Sequence, residues 1–301
     1  MHPHGHRDRR KARRLQAEGD SVDGQPDEGF DGDAGSERDL EQDRPHSARM
    51  YDYYLGGKTN YLVDREAAQE VVGLFPSIPA AARANRAFMH RAVHYLASEC
   101  GVRQFIDIGT GIPTTPNLHE VAQLVDPGCR VVYVDNDPLV LMYADELLDG
   151  TPEGETHFVE ADANSPEKVL RAVRATESLN WKEPIGLSLH ALLHFVPDAA
   201  DPYGVVGALV AELPQGSYLS LTHCTGDFDP ESWAAVIDVY VSSGTPTQVR
   251  SKDEVQRFFQ DLEMVEPGLV VAHRWRPEPH SGPSLHSDAA VSLYGGVASK
   301  T

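Results

Sequence analysis

The chain has 301 residues, of which 41 % are hydrophobic and 24 % charged, an ordinary globular composition with room for one large domain or two small ones. Its formal net charge of -20 repels phosphate backbones, which argues against long nucleic acid as a partner. No apolar run approaches the ~18 residues needed to cross a bilayer, and no apolar segment follows the basic N-terminus, so we expect a cytoplasmic protein without a membrane partner.

The first 45 residues are predicted to form a disordered, acidic tail. The segment from Glu18 to Asp43 is rich in Asp, Glu, Gly and Ser and contains few large apolar residues. Such a segment buries too little apolar surface to offset the conformational entropy that it would lose on ordering.

Residues 46–100 are predicted to form an N-terminal helical cap of three helices. In the first helix, Tyr51 and Tyr54 lie at helical spacing, and the pattern stops at a Gly–Gly pair, which is typical of a helix C-terminus. The second helix is predicted to have Asp64 as its N-cap, and the third to begin near Pro79.

Residues 101–301 are predicted to form one α/β domain in which strands and helices alternate. The strand candidates are Gln104–Ile108, Arg130–Asp135, Thr156–Glu160, Ile185–His190 and Ser217–His223. The linking helices are predicted at Asn117–Val125, Pro138–Leu148, Pro166–Arg174 and Tyr203–Leu213. Two further helices, Pro230–Ser243 and Ser251–Phe259, precede two last strands at Leu269–Arg274 and Ala290–Gly295. This alternation predicts a mostly parallel sheet with helices on both faces.

The first strand runs into a glycine turn that we interpret as part of an adenosyl-binding site. Gly109 and Gly111, with Thr110 between them, allow the backbone to bend tightly and to approach a ligand closely. A dinucleotide site usually has a third glycine where this chain has Thr114, so the turn fits a ligand without a pyrophosphate better. Asp107 is placed to accept a hydrogen bond from the ammonium group of an amino-acid moiety. Taken alone, the pattern is equally typical of a tight turn without a ligand.

The second strand ends in the sequence DNDP, in which Asp135 and Asn136 are candidate ligand contacts. An acidic residue at this strand end commonly accepts hydrogen bonds from ribose hydroxyls, because one carboxylate offers acceptor atoms to both. Asp137 directly precedes Pro138 and is better placed as the N-cap of the next helix.

The third strand ends at Asp162 and Ala163, which we expect to contact adenine. The carboxylate suits the exocyclic amine, and the Ala163 N–H suits a ring nitrogen. The alternative is that Asp162 caps the next helix, a role for which Ser165 is at least as well placed. Three such features in order, at the carboxyl edge of a parallel sheet, predict a single adenosine-sized crevice.

The exit of the fourth strand carries His190 and His194, the candidate catalytic residues. Across the sheet's switch point, either histidine would be placed to orient or deprotonate an acceptor. The alternative for both is a packing role. The three cysteines, Cys100, Cys129 and Cys224, are too far apart for a CxxC or CxH pair, so we expect neither disulfides nor a metal site.

These residues, taken with the rest of the chain, resemble a known family. The segments that carry the resemblance are ARMYDYYLGGKTNY, ARANRAFMHRAVHYLA, FIDIGTGIPT, VVYVDNDP, LLHFVPD, SYLSLTHC, FFQDLEMVEPGLV, RWRPE and YGGVASK. Over about residues 45–299 they are similar to the bacterial SAM-dependent methyltransferase family once catalogued only as a domain of unknown function. The resemblance implies a Rossmann-like class I methyltransferase fold: a seven-stranded, mostly parallel sheet with the last strand antiparallel, preceded by a helical cap. It implies S-adenosyl-L-methionine (SAM) as cofactor and leaves the acceptor undefined.

The chain departs from the pattern of that family in two places. Where members often carry GGKDNF, this chain has Lys58-Thr59-Asn60-Tyr61. Where members often carry an arginine after the adenine-contact acid, Asn164 stands near that position. The second change argues against a charged contact from that loop and leaves the adenine contact unaffected.

Methyl transfer from a sulfonium requires little beyond alignment of the acceptor and exclusion of water, so few dedicated catalytic groups are expected. We expect a small-molecule acceptor, and the sequence does not predict an oligomeric state. Three further cofactor contacts are predicted: Tyr54 in a lid near the sulfonium, Gly57 in a hinge, and Arg86 on the methionine carboxylate. A core role for Tyr54 and a surface role for Arg86 remain alternatives.

Two other functions compete with a methyltransferase. A non-catalytic SAM-binding or regulatory protein stays open because no unmistakable catalytic base is present. An NAD-dependent oxidoreductase is disfavoured by the missing third glycine and by the Asp162–Ala163 pair.

Overall fold

The computed structural model describes residues 42–147, 150–277 and 286–301. Residues 1–41 of the predicted tail lie outside the described residues. The described part of the chain contains ten α-helices and eight strands, and the strands form one sheet. Within that part, no helix is both long enough and apolar enough to cross a membrane.

The predicted helical cap consists of α1 (Ser47–Leu55), α2 (Leu62–Leu74) and α3 (Ile78–Ser98). Helix α1 ends because Gly56 adopts a φ of 83°, a left-handed conformation that glycine accepts without strain. Asp64 is not the N-cap of α2, contrary to the prediction. It lies at the third helical position and accepts hydrogen bonds from the N–H groups of Tyr61 (2.8 Å) and His46 (2.9 Å). Asp64 therefore ties the start of α2 to the residue that precedes α1.

The strands are β1 (Gln104–Ile108), β2 (Arg130–Asp135), β3 (Glu155–Glu160), β4 (Gly186–Leu189), β5 (Tyr218–Cys224), β6 (Glu263–Met264), β7 (Val270–Val271) and β8 (Leu293–Ser299). Their order is β3-β2-β1-β4-β5-β8-β6, with β7 also paired to β8. Strands β1 to β5 are parallel, and β8 is antiparallel to β5. The predicted mostly parallel sheet with an antiparallel last strand is confirmed.

The strand count differs from the prediction at the C-terminal end of the chain. Eight strands replace the expected seven because β6, a two-residue strand that was not predicted, pairs with β8. The strand expected at 269–274 stops after Val271, where a 3-10 turn begins. The last strand begins at Leu293 because a short helix occupies residues 288–291 and Ser292 adopts a φ of 41°.

The remaining helices are α4 (Leu118–Val125), α5 (Pro138–Leu147), α6 (Pro166–Ala175), α7 (Pro202–Ala211), α8 (Pro230–Ser242), α9 (Lys252–Gln256) and α10 (Asp288–Val291). Four of them begin at a proline, whose missing N–H is not needed in the first turn of a helix. As predicted, Asp137 caps α5: its carboxylate accepts a hydrogen bond of 2.9 Å from the Leu139 N–H.

Helix α3 packs directly on the sheet, so the cap and the sheet share one hydrophobic core. Phe88 of α3 is fully buried, and a side chain at Gly295 of β8 would come within 2.8 Å of its ring. The Phe88 ring also meets the Trp275 ring at 5.3 Å. This close packing fixes the polar residues of α3 above the carboxyl ends of the strands.

The chain crosses the sheet between β1 and β4. After β1 it builds β2 and β3 on one side, and it then returns to place β4 and β5 on the other side. At such a switch point the connections diverge and leave a crevice at the carboxyl ends of the strands, where α/β sheets bind their ligands.

Candidate functional site

A cavity of about 280 Å³ lies at this switch point, between the strand ends and helices α1 and α3. Its size is near the lower end of the range for ligand pockets, roughly 300–1,000 Å³. Every predicted site residue except Gly57 lines it: Tyr54, Arg86, Asp107, Gly109, Thr110, Gly111, Asp135, Asn136, Asp162, Ala163, His190 and His194.

The turn after β1 depends on two glycines in left-handed conformations. Gly109 has a φ of 74° and Gly111 a φ of 66°, a region that L side chains rarely adopt. A Cβ atom at Gly109 would lie 2.7 Å from the side chain of Leu192, on the loop after β4. The glycine turn and the β4 loop therefore approach each other at the floor of the cavity.

Asp135, at the end of β2, is buried and accepts three backbone hydrogen bonds. Its Oδ2 accepts from the Gly111 N–H at 2.8 Å, and its Oδ1 accepts from Asn136 (2.8 Å) and Asp137 (2.9 Å). A carboxylate has about four lone-pair positions, so roughly one remains for a ligand. Burial raises the pKa of Asp135, and the hydrogen bonds from Asp137 and Gly111 oppose that effect. The carboxylate is a structural link as well as a candidate ribose contact.

Asp162, after β3, is exposed, and its side chain is oriented by Asn164. The Asp162 Oδ1 accepts from the Asn164 N–H at 2.9 Å and from its Nδ2 at 3.0 Å. Ser165, not Asp162, is the N-cap of α6. Asn164, which stands near the position where an arginine was expected, therefore presents the Asp162 carboxylate at the cavity.

Arg86 and Asp107 form the charged centre of the cavity. Burial raises the pKa of Asp107 to about 7, opposed by the Arg86 guanidinium and reinforced by Asp135. The Arg86 Nη2 donates to the carbonyl oxygens of Thr114 and, at 2.6 Å, of Pro116. Arg86 thus holds the loop that follows the glycine turn.

A partly buried chain of hydrogen bonds joins α1, α3, β5 and the loop after β4. Tyr51 donates to the Ala82 carbonyl (3.0 Å) and accepts from Asn85 Nδ2 (2.8 Å). Asn85 Oδ1 accepts from the Thr222 hydroxyl (2.7 Å), which in turn accepts from the Ala191 N–H (2.8 Å). Ala191 has a φ of 53°, a strained value for a residue with a Cβ, and this hydrogen bond helps to hold it.

His190 lies at the end of β4, with its Nε2 2.8 Å from the Ser220 hydroxyl. Its ring meets the Phe88 ring edge to face at 5.7 Å. Burial lowers the pKa of His190 to about 3, and the nearby Arg86 and His90 charges add to the effect. This histidine is neutral at physiological pH.

His194 lies in a 3-10 turn, Leu193–Phe195, and is buried. Its Nε2 is 4.0 Å from the Cys224 sulfur, and its Nδ1 has no hydrogen-bond partner among the described residues. Burial holds the pKa of His194 well below its usual range, helped by His223 and Arg250. Like His190, it is neutral.

The turn that carries His194 is fixed by Arg250, a residue that sequence patterns did not indicate. Arg250 is 1 % exposed and donates to the carbonyl oxygens of Leu193 (3.0 Å) and Val196 (2.9 Å). It also donates to His223 Nε2 (2.8 Å) and to the Asp198 carboxylate (2.7 Å). An isolated arginine in an irregular segment gives no signal of such a role.

Helix α8 contributes two cavity residues that were also not predicted, Trp233 and Tyr240. They are seven positions apart, which places them on one face of the helix. The Tyr240 hydroxyl is 3.1 Å from the Tyr54 hydroxyl of α1. Among the described residues, the Trp233 Nε1 is buried without a hydrogen-bond partner.

Gly57 does not reach the cavity. Its N–H donates to the Asp52 carbonyl at 2.9 Å, and it packs so closely on the Asp52 carboxylate that a side chain would overlap it. Its role in the structure is to close the end of α1.

The cap is fastened to the site by a buried charge cluster. His46 Nδ1 is 2.9 Å from Asp137 Oδ2, and Arg49 Nε lies 3.6 Å from Asp64 and 3.9 Å from Asp137. Burial alone would raise the pKa of Asp137, but the hydrogen bond and charge of His46 bring it below its usual value. Since the Asp137 N–H binds Asp135, the cap and the candidate ribose contact are directly connected. Within the described part of the chain, no cluster of His, Cys, Asp and Glu has the makeup of a metal site.

Comparisons with known proteins identify the family to which the chain belongs. The family model described as S-adenosyl methyltransferase matches residues 33–301. A DUF574 family protein from Streptomyces avermitilis is 44 % identical, with a TM-score of 0.84 over 87 % of this chain and 100 % of the other. A candidate methyltransferase from Thermobifida fusca is 34 % identical, with a TM-score of 0.80 over 87 % of this chain and 97 % of the other. Among curated proteins, none matches the sequence. The chain therefore belongs to the S-adenosyl methyltransferase family and is a SAM-dependent methyltransferase.

Proposed function

We propose that the protein methylates a small-molecule acceptor, with SAM held at the carboxyl ends of β1, β2 and β3. The observation that carries this proposal is the convergence of Gly109, Gly111, Asp135 and Asp162 on the cavity that also reaches His194. The net charge of -20 and the position of the cavity beneath the helical cap favour a small acceptor over a nucleic acid.

We assign three parts of the cofactor to residues at three different strand ends. The open lone pair of Asp135 is assigned to a ribose hydroxyl, and the unengaged oxygen of Asp162, with the Ala163 N–H, to the adenine edge. Asp107 is a partly buried carboxyl whose negative charge is not sufficiently stabilised by the protein alone, as its pKa of about 7 indicates. A cation beside it would stabilise that charge, and the methionine ammonium fits this requirement.

Bound SAM supplies a methyl group already activated by its positive sulfur. The protein therefore needs only to align the acceptor atom, hold it close and exclude water. Helices α1 and α3 form the cover of the cavity, and the polar chain through Tyr51, Asn85 and Thr222 fixes them to the sheet.

We assign proton acceptance from the acceptor to His194. The Nε2 of His190 is occupied by Ser220, whereas the Nδ1 of His194 has no partner among the described residues. His194 is neutral and so has a free nitrogen lone pair at physiological pH. Burial makes His194 a weak base, but the acceptor proton becomes far more acidic as the acceptor atom bonds to the methyl carbon, so His194 accepts the proton as that bond forms.

Calorimetric titration of SAM into three variants tests the assignment of the cofactor site. Asp135→Ala and Asp162→Ala are expected to weaken binding by about 1–3 kcal/mol, or roughly 5- to 150-fold, because each removes a charged acceptor. Asp238→Ala is the matched control, since Asp238 is exposed on α8 and outside the cavity lining. Equal affinities in all three variants and the parent would exclude this crevice as the cofactor site.

A further inference from the structure

The lining of the cavity divides into a charged part and an uncharged part. Asp107, Asp135 and Asp162 lie at or just after the strand ends assigned to the cofactor, and Arg86 of α3 acts on Asp107 from above them. Beyond them is a group that we call the aromatic compartment: Tyr54, His194, Phe195, Cys224, Trp233 and Tyr240. Apart from Tyr54, which is expected near the sulfonium, the cofactor assignment uses none of its walls, so this compartment is left for the acceptor.

Direct contacts hold the aromatic compartment together. The Phe195 and Tyr240 rings lie 5.5 Å apart, and the Phe195 and His194 rings 4.3 Å apart. The Tyr54 and Tyr240 hydroxyls are 3.1 Å apart, across α1 and α8. Walls made of ring faces and edges favour a flat, polarisable ligand, because aromatic pairs gain energy beyond the area that they bury.

The aromatic compartment contains no charged side chain at neutral pH. Burial keeps His194 neutral and raises the pKa of Cys224 to about 12, and it raises the pKa values of Tyr54 and Tyr240 as well. An ammonium or carboxylate entering this space would lose its hydration without gaining a counter-ion, which is strongly unfavourable. Amines and acids that are ionised at neutral pH are therefore excluded.

Three polar groups of the aromatic compartment lack a complete set of hydrogen bonds within the described residues. Trp233 Nε1 and His194 Nδ1 are buried without partners. Tyr54 and Tyr240 share a single hydrogen bond, so one of their two hydroxyl protons is left without an acceptor. Unsatisfied buried groups are costly, and a ligand with an oxygen that both donates and accepts would satisfy them.

We propose that the methyl acceptor is an uncharged aromatic hydroxyl compound, a neutral phenol, bound in the aromatic compartment. This inference rests on the proposed function. The phenol oxygen forms the new C–O bond with an electron pair as the S–C bond breaks and its pair returns to sulfur. The phenol proton passes to His194, and the products are an aryl methyl ether, S-adenosylhomocysteine (SAH) and one proton.

The test compares ligands of one shape and different charge. Naphthol, naphthoate and naphthylmethylammonium are titrated into the full-length protein saturated with SAH, and their affinities are measured. Naphthol is expected to bind at least tenfold more tightly than either ion. Equal or tighter binding of an ion would overturn the inference.

Two conservative variants locate the binding site. Trp233→Phe keeps the ring and removes the N–H, and Tyr240→Phe removes one hydroxyl; each should weaken naphthol binding about threefold to tenfold while leaving SAM affinity unchanged. The control is Trp181→Phe, since Trp181 stacks on Arg174 away from the cavity lining. If naphthol affinity is the same in all three variants and the parent, the aromatic compartment is not the acceptor site.

Turnover separates this inference from the proposed function. SAH formation is followed with SAM and a panel of one- to three-ring phenols, and at least one is expected to be methylated. Failure of SAM to bind would contradict the proposed function. Normal SAM binding combined with methylation of amines or carboxylates instead of phenols would contradict this inference alone.

Discussion

The Gly111 N–H donates a 2.8 Å hydrogen bond to Asp135 Oδ2 and so joins the ends of β1 and β2. Gly111 makes this bond in a left-handed conformation, with a φ of 66°, which glycine adopts without the strain that a Cβ would cause. The glycine turn and the acidic residue are therefore one unit. A change in either residue is expected to alter both the shape of the cavity and its affinity for the cofactor.

Gly109→Ala is expected to weaken SAM binding and to destabilise the protein, whereas Gly56→Ala is expected only to destabilise it. Both glycines have positive φ, so each substitution costs about 1 kcal/mol from the backbone alone. At Gly56 no atom lies within 4 Å of the added Cβ, but at Gly109 the Cβ would meet Leu192 at 2.7 Å. Urea denaturation and SAM titration of both variants measure the difference.

The double variant Gly109→Ala, Leu192→Ala is the control for that contact. If the collision with Leu192 is responsible, shortening Leu192 should recover part of the lost SAM affinity in the Gly109→Ala background. No recovery would show that the backbone conformation alone accounts for the loss.

SAM binding is expected to release protons near pH 7, through Asp107. The raised pKa of about 7 means that this carboxyl is roughly half protonated at neutral pH before SAM is added. A bound cation favours the charged form, so up to about 0.5 proton leaves per SAM bound at pH 7 and almost none at pH 9. Calorimetry in buffers of different ionisation enthalpy measures this number.

Asp107→Asn supplies the control, because it cannot titrate and should remove the proton release at pH 7.

Asp107 should also affect the pH dependence of folding stability in the protein without SAM. Between about pH 4 and pH 7 the folded state holds a proton that the unfolded chain has released, so stability contributed by Asp107 falls as the pH rises. The Asn variant should lack this decline; an unchanged pH profile would mean that Asp107 has an ordinary pKa.

Much of the fold follows from local patterns that the sequence displays. The bounds of β1 and β2 agree with the prediction because buried parallel strands are short apolar runs that end at a glycine turn or an acidic residue. The strand β6 escaped prediction because two residues are too few to show a periodicity, and β7 proved shorter than the strand predicted at 269–274. Asp64 was predicted to be the N-cap of α2 but is its third helical residue. The prediction was wrong because a carboxylate can cap the start of a helix from either position.

The candidate site was predictable only where topology brings strand ends together. Asp107, Asp135 and Asp162 lie at or just after the carboxyl ends of β1, β2 and β3, so a parallel sheet places them at one edge. Contacts between distant segments carry no such signal. Asn85 and Thr222 are 137 positions apart, and their hydrogen bond depends on how α3 lies on β5.

His46→Ala is expected to speed the dissociation of SAM. The substitution removes the 2.9 Å contact with Asp137 that fastens the start of α1 to the loop after β2. The loss of about 1 kcal/mol from the closed cap corresponds to a roughly fivefold faster release. Stopped-flow displacement of SAM by excess SAH measures the rate. His94→Ala, an exposed histidine of α3, is the control, and matching rates in the two variants would show that the contact does not hold the cap closed.

Arg250 is expected to position His194 without contacting the cofactor. Arg250→Met keeps the size of the side chain but leaves two carbonyl oxygens and His223 Nε2 without their donor, which should cost about 3 kcal/mol or more of folding free energy. Asp198→Ala removes only the exposed end of this network and should cost much less. Because the turn that carries His194 would loosen, naphthol affinity in the SAH complex should fall at least fivefold in Arg250→Met, with SAM affinity unchanged. A parallel loss of SAM affinity would mean that Arg250 stabilises the whole site and has no specific effect on His194.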